Sequence, residues 1–489
     1  MMGNATVTTM AARPPLALVS RRSRRKTAVG SRDAVRTAIA LLSYAFLHDN
    51  AATLPGTLGY GWTRLIALPA EVRFIEVVVI VGLALSVVMA RRSVMTVSLL
   101  GGCLLFVGLS ILSYLNHPVT GPIDFGRLVY MYLLPIVVFV IARELRWDPA
   151  GVRTVVRFVL GWVLISAAAS WLQYLYLGYP AGDDITGLNP DAHVNVSLLL
   201  IGSLLLLADG LFLRQWFRIL PAIGLAATAV LPSELKILFI SPLLVAMVLW
   251  YYSGGSLWRH ARMMFKRAVV VVPLLAAIVS VGFIAFNRID ILSSNRVPAL
   301  IDRALNDPLN FGTVIAYRNA VTILTQGPRN FLLGLGPYAY SNPISMGQSR
   351  EDGALGRFTR SDLASSAGES GEDARITLAT SLALEFGVPA FMMLGCLYLF
   401  VLIETHLAAV RSRDGTVRRY AAVAVPGVMI LLAAGTLGLF GSLSALALSW
   451  PVMILAGATC RLEARNRVLA KRHRQQRRRR PGQSAQGGV

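Results

Sequence analysis

The 489-residue chain is 55% hydrophobic and only 15% charged, and its mean hydropathy is +0.60. Soluble domains carry about 25% charged residues, so this composition excludes an ordinary water-soluble enzyme and a disordered protein. The apolar stretches run unbroken over lengths that suit spanning helices, whereas an outer-membrane barrel alternates its apolar residues along strands of about ten residues. The sequence therefore predicts an all-α, polytopic membrane protein.

Twelve apolar segments have about the length that a membrane-spanning helix needs. In chain order they are residues 37–54, 74–90, 94–115, 128–142, 154–177, 194–213, 219–232, 235–252, 268–286, 376–403, 419–437 and 440–460. The first, seventh and eighth are the weakest, because they are short or interrupted by polar residues.

Basic clusters predict the direction of these spans. The clusters are residues 21–26, 91–92, 143–153, 214–218, 259–267, 411–419 and 461–480. Because cytoplasmic loops are enriched in Lys and Arg, an even number of spans has to separate neighbouring clusters, and twelve spans satisfy this for every pair. Both termini are then expected in the cytoplasm.

The formal charge of +22 is concentrated in two tails, residues 1–36 and 461–489. Basic tails beside membrane spans are typical of segments that contact anionic membrane lipid, and nucleic-acid binding is the alternative. We expect the lipid and no nucleic acid. The three cysteines lie in apolar stretches without metal-ligand spacing, so neither a metal site nor a cofactor is expected.

Residues 287–375 form a large non-membrane loop between spans nine and ten, and the parity of the spans places this loop outside the cytoplasm. Four apolar residues recur there at helical spacing: Val314, Tyr317, Val321 and Leu324. This spacing predicts an amphipathic helix that ends at Gly327-Pro328. Residues 341–373 are polar and rich in Ser, Gly and acidic residues, which is typical of a mobile lid. The loop separates spans one to nine, over residues 37–286, from spans ten to twelve, over residues 376–460.

Three charged residues in or near the spans are candidates for function, since charge is costly there. Lys236 is the only lysine outside the basic clusters and lies at the tip between spans seven and eight. It either faces an anionic substrate group or is an interfacial lysine that snorkels or pairs with Glu234. Arg318 borders the apolar stripe of the loop helix, near the membrane surface. Glu385 lies inside span ten, where a helix-packing hydrogen bond is the alternative.

Four short motifs occur in a characteristic order. They are Thr186-Gly187-Leu188-Asn189-Pro190; Ser233-Glu234-Leu235-Lys236; Arg318-Asn319-Ala320 followed by Leu333-Gly334-Leu335-Gly336-Pro337; and Leu384-Glu385-Phe386-Gly387-Val388-Pro389. With the large loop between spans nine and ten, this order resembles the O-antigen ligase/polymerase family of bacterial inner-membrane glycosyltransferases. The resemblance covers roughly residues 90–460.

The resemblance implies a polyprenyl-diphosphate-linked oligosaccharide as donor and other polysaccharide-assembly proteins as partners. In such a reaction an acceptor hydroxyl attacks the anomeric carbon, and cations stabilise the departing lipid diphosphate without a cofactor. Lys236 and Arg318 are expected in that role, and Glu385 is one of the carboxylates that could act as general base. The residues expected to bind substrate are Arg127, Asn189 and Gly336.

The polymerase branch of the family is favoured over the ligase branch. Ligases of the family carry a histidine shortly before span ten, where this chain has Arg375 and has no histidine between His260 and His406. An arginine stays protonated and cannot act as a base, but Arg375 could bind a second lipid diphosphate. Ligase-type transfer to a lipid or protein acceptor and a lipid-glycan transporter are the alternatives. The expected location is the bacterial inner membrane.

Overall fold

The computed structural model of the chain describes part of its length. The described residues are 32–45, 94–116, 122–178, 185, 187–188, 192–229, 231, 236–253, 312–337, 378–437 and 446–478. The predicted second and ninth spans and the polar half of the long loop lie outside these residues.

All regular structure in the described ranges is helical, so the predicted all-α class is confirmed for this part of the chain. Residues 32–45 form α1. The other helices are α2 (Val94–Asn116), α3 (Pro122–Glu144), α4 (Pro149–Leu175), α5 (Ala192–Phe212), α6 (Ile219–Thr228), α7 (Lys236–Tyr252), α8 (Gly312–Thr325), α9 (Pro328–Leu333), α10 (Leu378–Phe386), α11 (Val388–Arg411), α12 (Gly415–Leu437) and α13 (Leu446–Arg478). A single 3₁₀ turn, Trp216–Arg218, precedes α6.

Five helical segments in the described part are long and apolar enough to cross a membrane. They are Met95–Asn116, Pro149–Leu175, Val194–Phe212, Val388–Arg411 and Gly415–Leu432. Large apolar side chains remain exposed on these helices, such as Leu104 and Leu175, each with 71% of its surface accessible. Water would disfavour such surfaces, whereas lipid hydrocarbon would not. The chain therefore has the character of a helical membrane protein.

One end of the helix bundle gathers arginine side chains, and we call it the basic end. Asp209 of α5 accepts a hydrogen bond from Arg218, and its other carboxylate oxygen lies 3.5 Å from Arg419 of α12. Arg143 of α3 donates to Thr96 of α2 at 3.0 Å. The contacts of Asp209 join the end of α5 to the start of α12, and the contact of Arg143 joins the end of α3 to the start of α2.

Helix α13 connects these groups and continues the last predicted span as a helix to Arg478. Arg465 donates to the carbonyl of Trp147 at 2.9 Å, and Asn466 donates to Asp414 at 2.9 Å. The buried Glu463 accepts from Arg467, and this hydrogen bond raises the pKa of the Arg467 guanidinium. The described parts of the basic clusters at 143–153, 214–218, 411–419 and 461–480 therefore share one end, as the parity of the spans requires.

The opposite end carries the helices of the long loop, and we call it the loop end. Arg329 of α9 donates to Asn116, the last residue of α2. Trp171 near the end of α4 donates to Thr228 at the end of α6, at 3.1 Å. Successive long helices, from α2 to α5 and from α11 to α13, therefore run in alternating directions between the two ends.

Small residues let these helices approach closely. An added Cβ at Gly457 of α13 would lie 2.7 Å from the carbonyl oxygen of Phe139 in α3 and 2.8 Å from the Cβ of Ala142. An added Cβ at Gly202 of α5 would lie 2.4 Å from a methyl group of Val163 in α4. Close packing of this kind stabilises helix pairs in a membrane, where hydrophobic burial between helices contributes little.

Candidate functional site at the loop end

The helix predicted from the apolar spacing in the long loop is present as α8. It ends before Gly327-Pro328, and Pro328 begins α9. The face that packs against α10 consists of Ala320, Ile323 and Leu324. Val321, which the spacing assigned to the apolar face, is 57% exposed. Ala320, which the spacing did not assign to the apolar face, lies instead on the face that packs in one cluster with Ala383 and Leu384 of α10.

The predicted single helix over residues 376–403 is wrong, since two helices meet at Gly387. Gly387 has a positive φ of 83°, a backbone conformation that ends a helix readily only at glycine. Pro389 follows in the first turn of α11, where its missing N–H is tolerated. Helix α10 therefore ends inside the predicted span, and its last carbonyl groups have no hydrogen-bond donor within the helix itself.

Those carbonyl groups bind the glycine-rich turn that follows α9. The N–H of Leu335 donates to the carbonyl of Leu384 at 2.6 Å, and the N–H of Gly336 donates to the carbonyl of Glu385 at 3.1 Å. The hydroxyl of Ser113 in α2 donates to the same Glu385 carbonyl at 2.7 Å. Two motifs that lie far apart in the sequence, one in the long loop and one in span ten, are therefore joined by backbone hydrogen bonds.

The side chain of Glu385 is fully buried. The adjacent Phe386 packs edge-on against Tyr132 of α3, with ring centroids 6.1 Å apart, and lies 6.2 Å from Phe106 of α2. The corner between α10 and α11 is therefore embedded between α2 and α3. In this arrangement the Glu385 carboxyl group does not meet water, which suits a role in holding the corner better than direct contact with a substrate.

A second polar site fixes the loop that contains the Thr186–Pro190 motif. Asn195 of α5 is fully buried, accepts a hydrogen bond from Ser166 at 2.9 Å and donates to Ser170 at 2.8 Å. Gln173 both accepts from the N–H of Gly187, at 2.8 Å, and donates to its carbonyl, at 3.1 Å. Asn195 also donates to the carbonyl of Ile185 at 3.4 Å, so the loop is tied to both α4 and α5.

The structure places the residues predicted from the sequence as follows. Arg318 is exposed on α8, and its guanidinium has no ion pair among the described residues. Gly336 lies in the turn against α10, as above. Arg127 lies in α3, whose first residues are at the loop end, where Phe125 stacks on Tyr114 of α2 at 4.6 Å. The side chain of Arg127 lies outside the described part.

Lys236 is the first residue of α7, and its side chain lies outside the described part. Tyr251 near the other end of α7 is 2.6 Å from Nδ1 of His406, close to the basic end of α11. Helix α7 therefore begins at the loop end, which is the end predicted for Lys236. Asn189 and Arg375 lie outside the described residues.

Sequence reasoning missed the polar residues that hold this site together. Ser166, Ser170 and Gln173 occupy one stripe of the otherwise apolar α4, at i, i+4 and i+7 spacing, and this spacing was a usable signal. Asn195 and Ser113 lie in largely apolar helices, and nothing in the sequence indicates their partners. Among the described residues, no group of three or more His, Cys, Asp and Glu side chains could hold a metal ion.

Comparisons with known proteins add no family. No protein-family model matches the chain. A search of curated proteins finds no match either.

Proposed function

We propose that the chain is a membrane glycosyltransferase that polymerises polyprenyl-diphosphate-linked oligosaccharide repeat units into a cell-surface polysaccharide. The observation that carries this proposal is the pair of hydrogen bonds from Leu335 and Gly336 to the carbonyls of Leu384 and Glu385. Both segments belong to the motifs in which the chain resembles the O-antigen ligase/polymerase family. Their contact supports the idea that the motifs form one site.

Arg318 provides the charge that this chemistry needs. It is exposed on α8, and α8 packs through Ala320 and Leu324 on the same corner of α10. A guanidinium group in this position can bind phosphate oxygens with two parallel hydrogen bonds. Lys236, at the start of α7 and on the same end of the bundle, is the proposed second cation.

The proposed reaction needs few groups. The hydroxyl of the acceptor glycan attacks the anomeric carbon of the donor, and the bond from that carbon to the diphosphate oxygen breaks with its electron pair on the diphosphate. Cations that are already in place stabilise the charge that develops there. The hydroxyl proton passes to a carboxylate. Because Glu385 is buried, we assign this step to a carboxylate of the long loop and assign Glu385 to positioning of the corner.

Arg375 is the proposed contact for the second lipid diphosphate, which a polymerase needs because its donor and acceptor are both lipid-linked. Asn189, Arg127 and Gly336 are the proposed contacts for the glycan. In this proposal the basic end faces the bacterial cytoplasm, with both termini there and the tails against anionic lipid. The loop end then faces the outer leaflet of the inner membrane, where it meets the donor and other polysaccharide-assembly proteins.

Reconstitution tests the proposal. The full chain in proteoliposomes receives a polyprenyl-diphosphate-linked oligosaccharide, and mass spectrometry measures the length of the lipid-linked product. We expect products of two or more joined units, lost with Arg318→Ala and retained with Gln326→Ala, a control in the exposed turn after α8. Transfer of the glycan only to an added lipid or protein acceptor, without joined units on the carrier lipid, would indicate ligase-type transfer. Movement of the intact donor across the bilayer without joining would indicate a transporter.

A further inference from the structure

A second candidate binding region lies at the basic end, on the connection between α5 and α6. Four large apolar side chains of residues 213–220 are exposed there: Leu213 (44%), Trp216 (53%), Phe217 (72%) and Leu220 (75%). Aromatic side chains at the end of a membrane helix are typical of the boundary between hydrocarbon and lipid head groups. This connection therefore lies where phospholipid head groups would be.

Arginines alternate with these apolar residues. Arg214 is exposed and has a positive φ of 57°, which is uncommon for a residue other than glycine and occurs often at functional sites. The side chain of Arg218 is 31% exposed, and its guanidinium carbon lies 5.9 Å from the centre of the Phe217 ring. A cation and an apolar surface are therefore presented side by side.

The charge behind this surface is not balanced within the described residues. The carboxylate of Asp209 is shared by two guanidinium groups, those of Arg218 and Arg419, so one positive charge is in excess. Arg419 is only 4% exposed, and its Nε is buried without a hydrogen-bond partner among the described residues. Nε of Arg418 is likewise buried without a hydrogen-bond partner among the described residues. Burying an excess charge is costly unless an anion lies nearby.

We propose that residues 213–220, with Arg419 behind them, bind the head group of an anionic phospholipid. The phosphate accepts hydrogen bonds from Arg214 and Arg218, and the acyl chains lie on Trp216 and Phe217. A free phosphate ion would use the guanidinium groups and leave the apolar surface uncovered. A phospholipid uses both, which favours the lipid as the occupant. This site is separate from the basic tails and does not depend on the reaction at the loop end.

The test uses the full chain in nanodiscs made from an equal mixture of phosphatidylcholine and phosphatidylglycerol. Native mass spectrometry counts the phosphatidylglycerol molecules that stay bound when the protein is released. Arg214→Asn removes one charge and keeps a residue that tolerates a positive φ. Arg218→Gln removes the other, while Arg419 still pairs with Asp209.

We expect each of these variants to weaken phosphatidylglycerol binding about tenfold, which is the effect of losing one charge-assisted hydrogen bond. The matched control is Arg413→Gln, an exposed arginine in the turn between α11 and α12 at the same end, and it should retain the lipid. Inorganic phosphate should not displace the lipid, because it cannot cover the apolar residues.

Three results would overturn the proposal. The first is equal lipid retention in Arg214→Asn, Arg218→Gln and the Arg413→Gln control. The second is displacement of the lipid by inorganic phosphate alone, which would indicate a site for free anions. The third is a Trp216→Ser variant that converts a dimer into a monomer while lipid retention stays unchanged, since the apolar surface would then be an interface between two copies of the chain.

Discussion

A side chain at Gly334 would collide with the backbone beside Gly387, and a side chain at Gly387 would collide with the backbone just before Gly334. Both have positive φ values, 71° and 83°. A Cβ added to Gly334 would lie 2.6 Å from the amide nitrogen of Gly387, and one added to Gly387 would lie 2.4 Å from the carbonyl oxygen of Leu332. The loop turn and the broken span therefore fit together only when both residues are glycine.

The first prediction concerns this pair. Gly334→Ala or Gly387→Ala should separate the turn from the corner, because each places a methyl group against backbone and costs about 1–3 kcal/mol for a positive φ combined with an extended ψ. Each variant should lower the unfolding temperature of the detergent-solubilised protein and abolish glycan product. Gly395→Ala in α11 is the control, since an added Cβ there meets nothing within 4 Å. Wild-type stability and product in both Gly334→Ala and Gly387→Ala would contradict the interlock.

A second prediction concerns the buried amide of Asn195. Asn195→Leu keeps the volume but removes the hydrogen bonds of the amide with Ser166 and Ser170 and its bond to the carbonyl of Ile185, at a cost of about 1–3 kcal/mol. The loop should then detach, so that a cysteine at position 188 reacts faster with a maleimide than in the parent protein. Thr459→Val should have little effect, because the hydroxyl of Thr459 donates within its own helix. An unchanged labelling rate in Asn195→Leu would show that the loop is held by other contacts.

A third prediction concerns the two proposed cations. Arg318→Ala and Lys236→Ala should each reduce product roughly a hundredfold, the usual effect of removing one group that stabilises developing charge. Lys236→Arg should retain much of the activity because the charge is kept. Arg350, Arg357 and Arg360 lie outside the described residues and are predicted from the sequence to tolerate alanine. If all of these alanine variants reduced product equally, Arg318 would have no special role.

The fourth prediction concerns the sides of the membrane. In a variant without native cysteines, single cysteines at Gln326 on the loop end and at Arg413 on the basic end occupy exposed positions. A membrane-impermeant maleimide should label position 326 in intact spheroplasts and position 413 only after lysis. The opposite pattern would place the basic end outside the cell.

Much of the fold could be predicted, because membrane helices follow simple sequence patterns. The length of the apolar segments predicted the helices, and the arginine clusters predicted which helix ends lie together, at the end that carries Arg143, Arg419 and Arg465. The break at Gly387 was not predicted, because apolar length alone treats residues 376–403 as one span, although Gly387 and Pro389 are usable signals of a helix end and a helix start. Helix α8 was predicted, but the orientation of Val321 was not, since it depends on how α8 packs against α10.

The candidate site was predicted less completely than the fold. The motifs around Gly336 and Glu385 were found as short sequences, but their contact arises from two backbone hydrogen bonds, which leave no signal in the pattern of side chains. The roles of Asn195 and Ser113 depend on partners in other helices, which periodicity cannot identify. The corner that holds the buried Glu385 packs through Phe386 on Phe106 and Tyr132, so a sequence that shows a carboxylate in a span does not show its surroundings.

Polymerisation of lipid-linked repeat units, as we propose it, is measured most directly by the size of the glycans on the carrier lipid after the gene is deleted. Carrier lipids are extracted from the deletion strain and from a strain complemented with the intact chain, and the glycans are sized by gel and mass spectrometry. We expect single repeat units in the deletion strain and long chains after complementation. Long chains that remain on the carrier in the deletion strain would contradict this expectation and indicate a ligase.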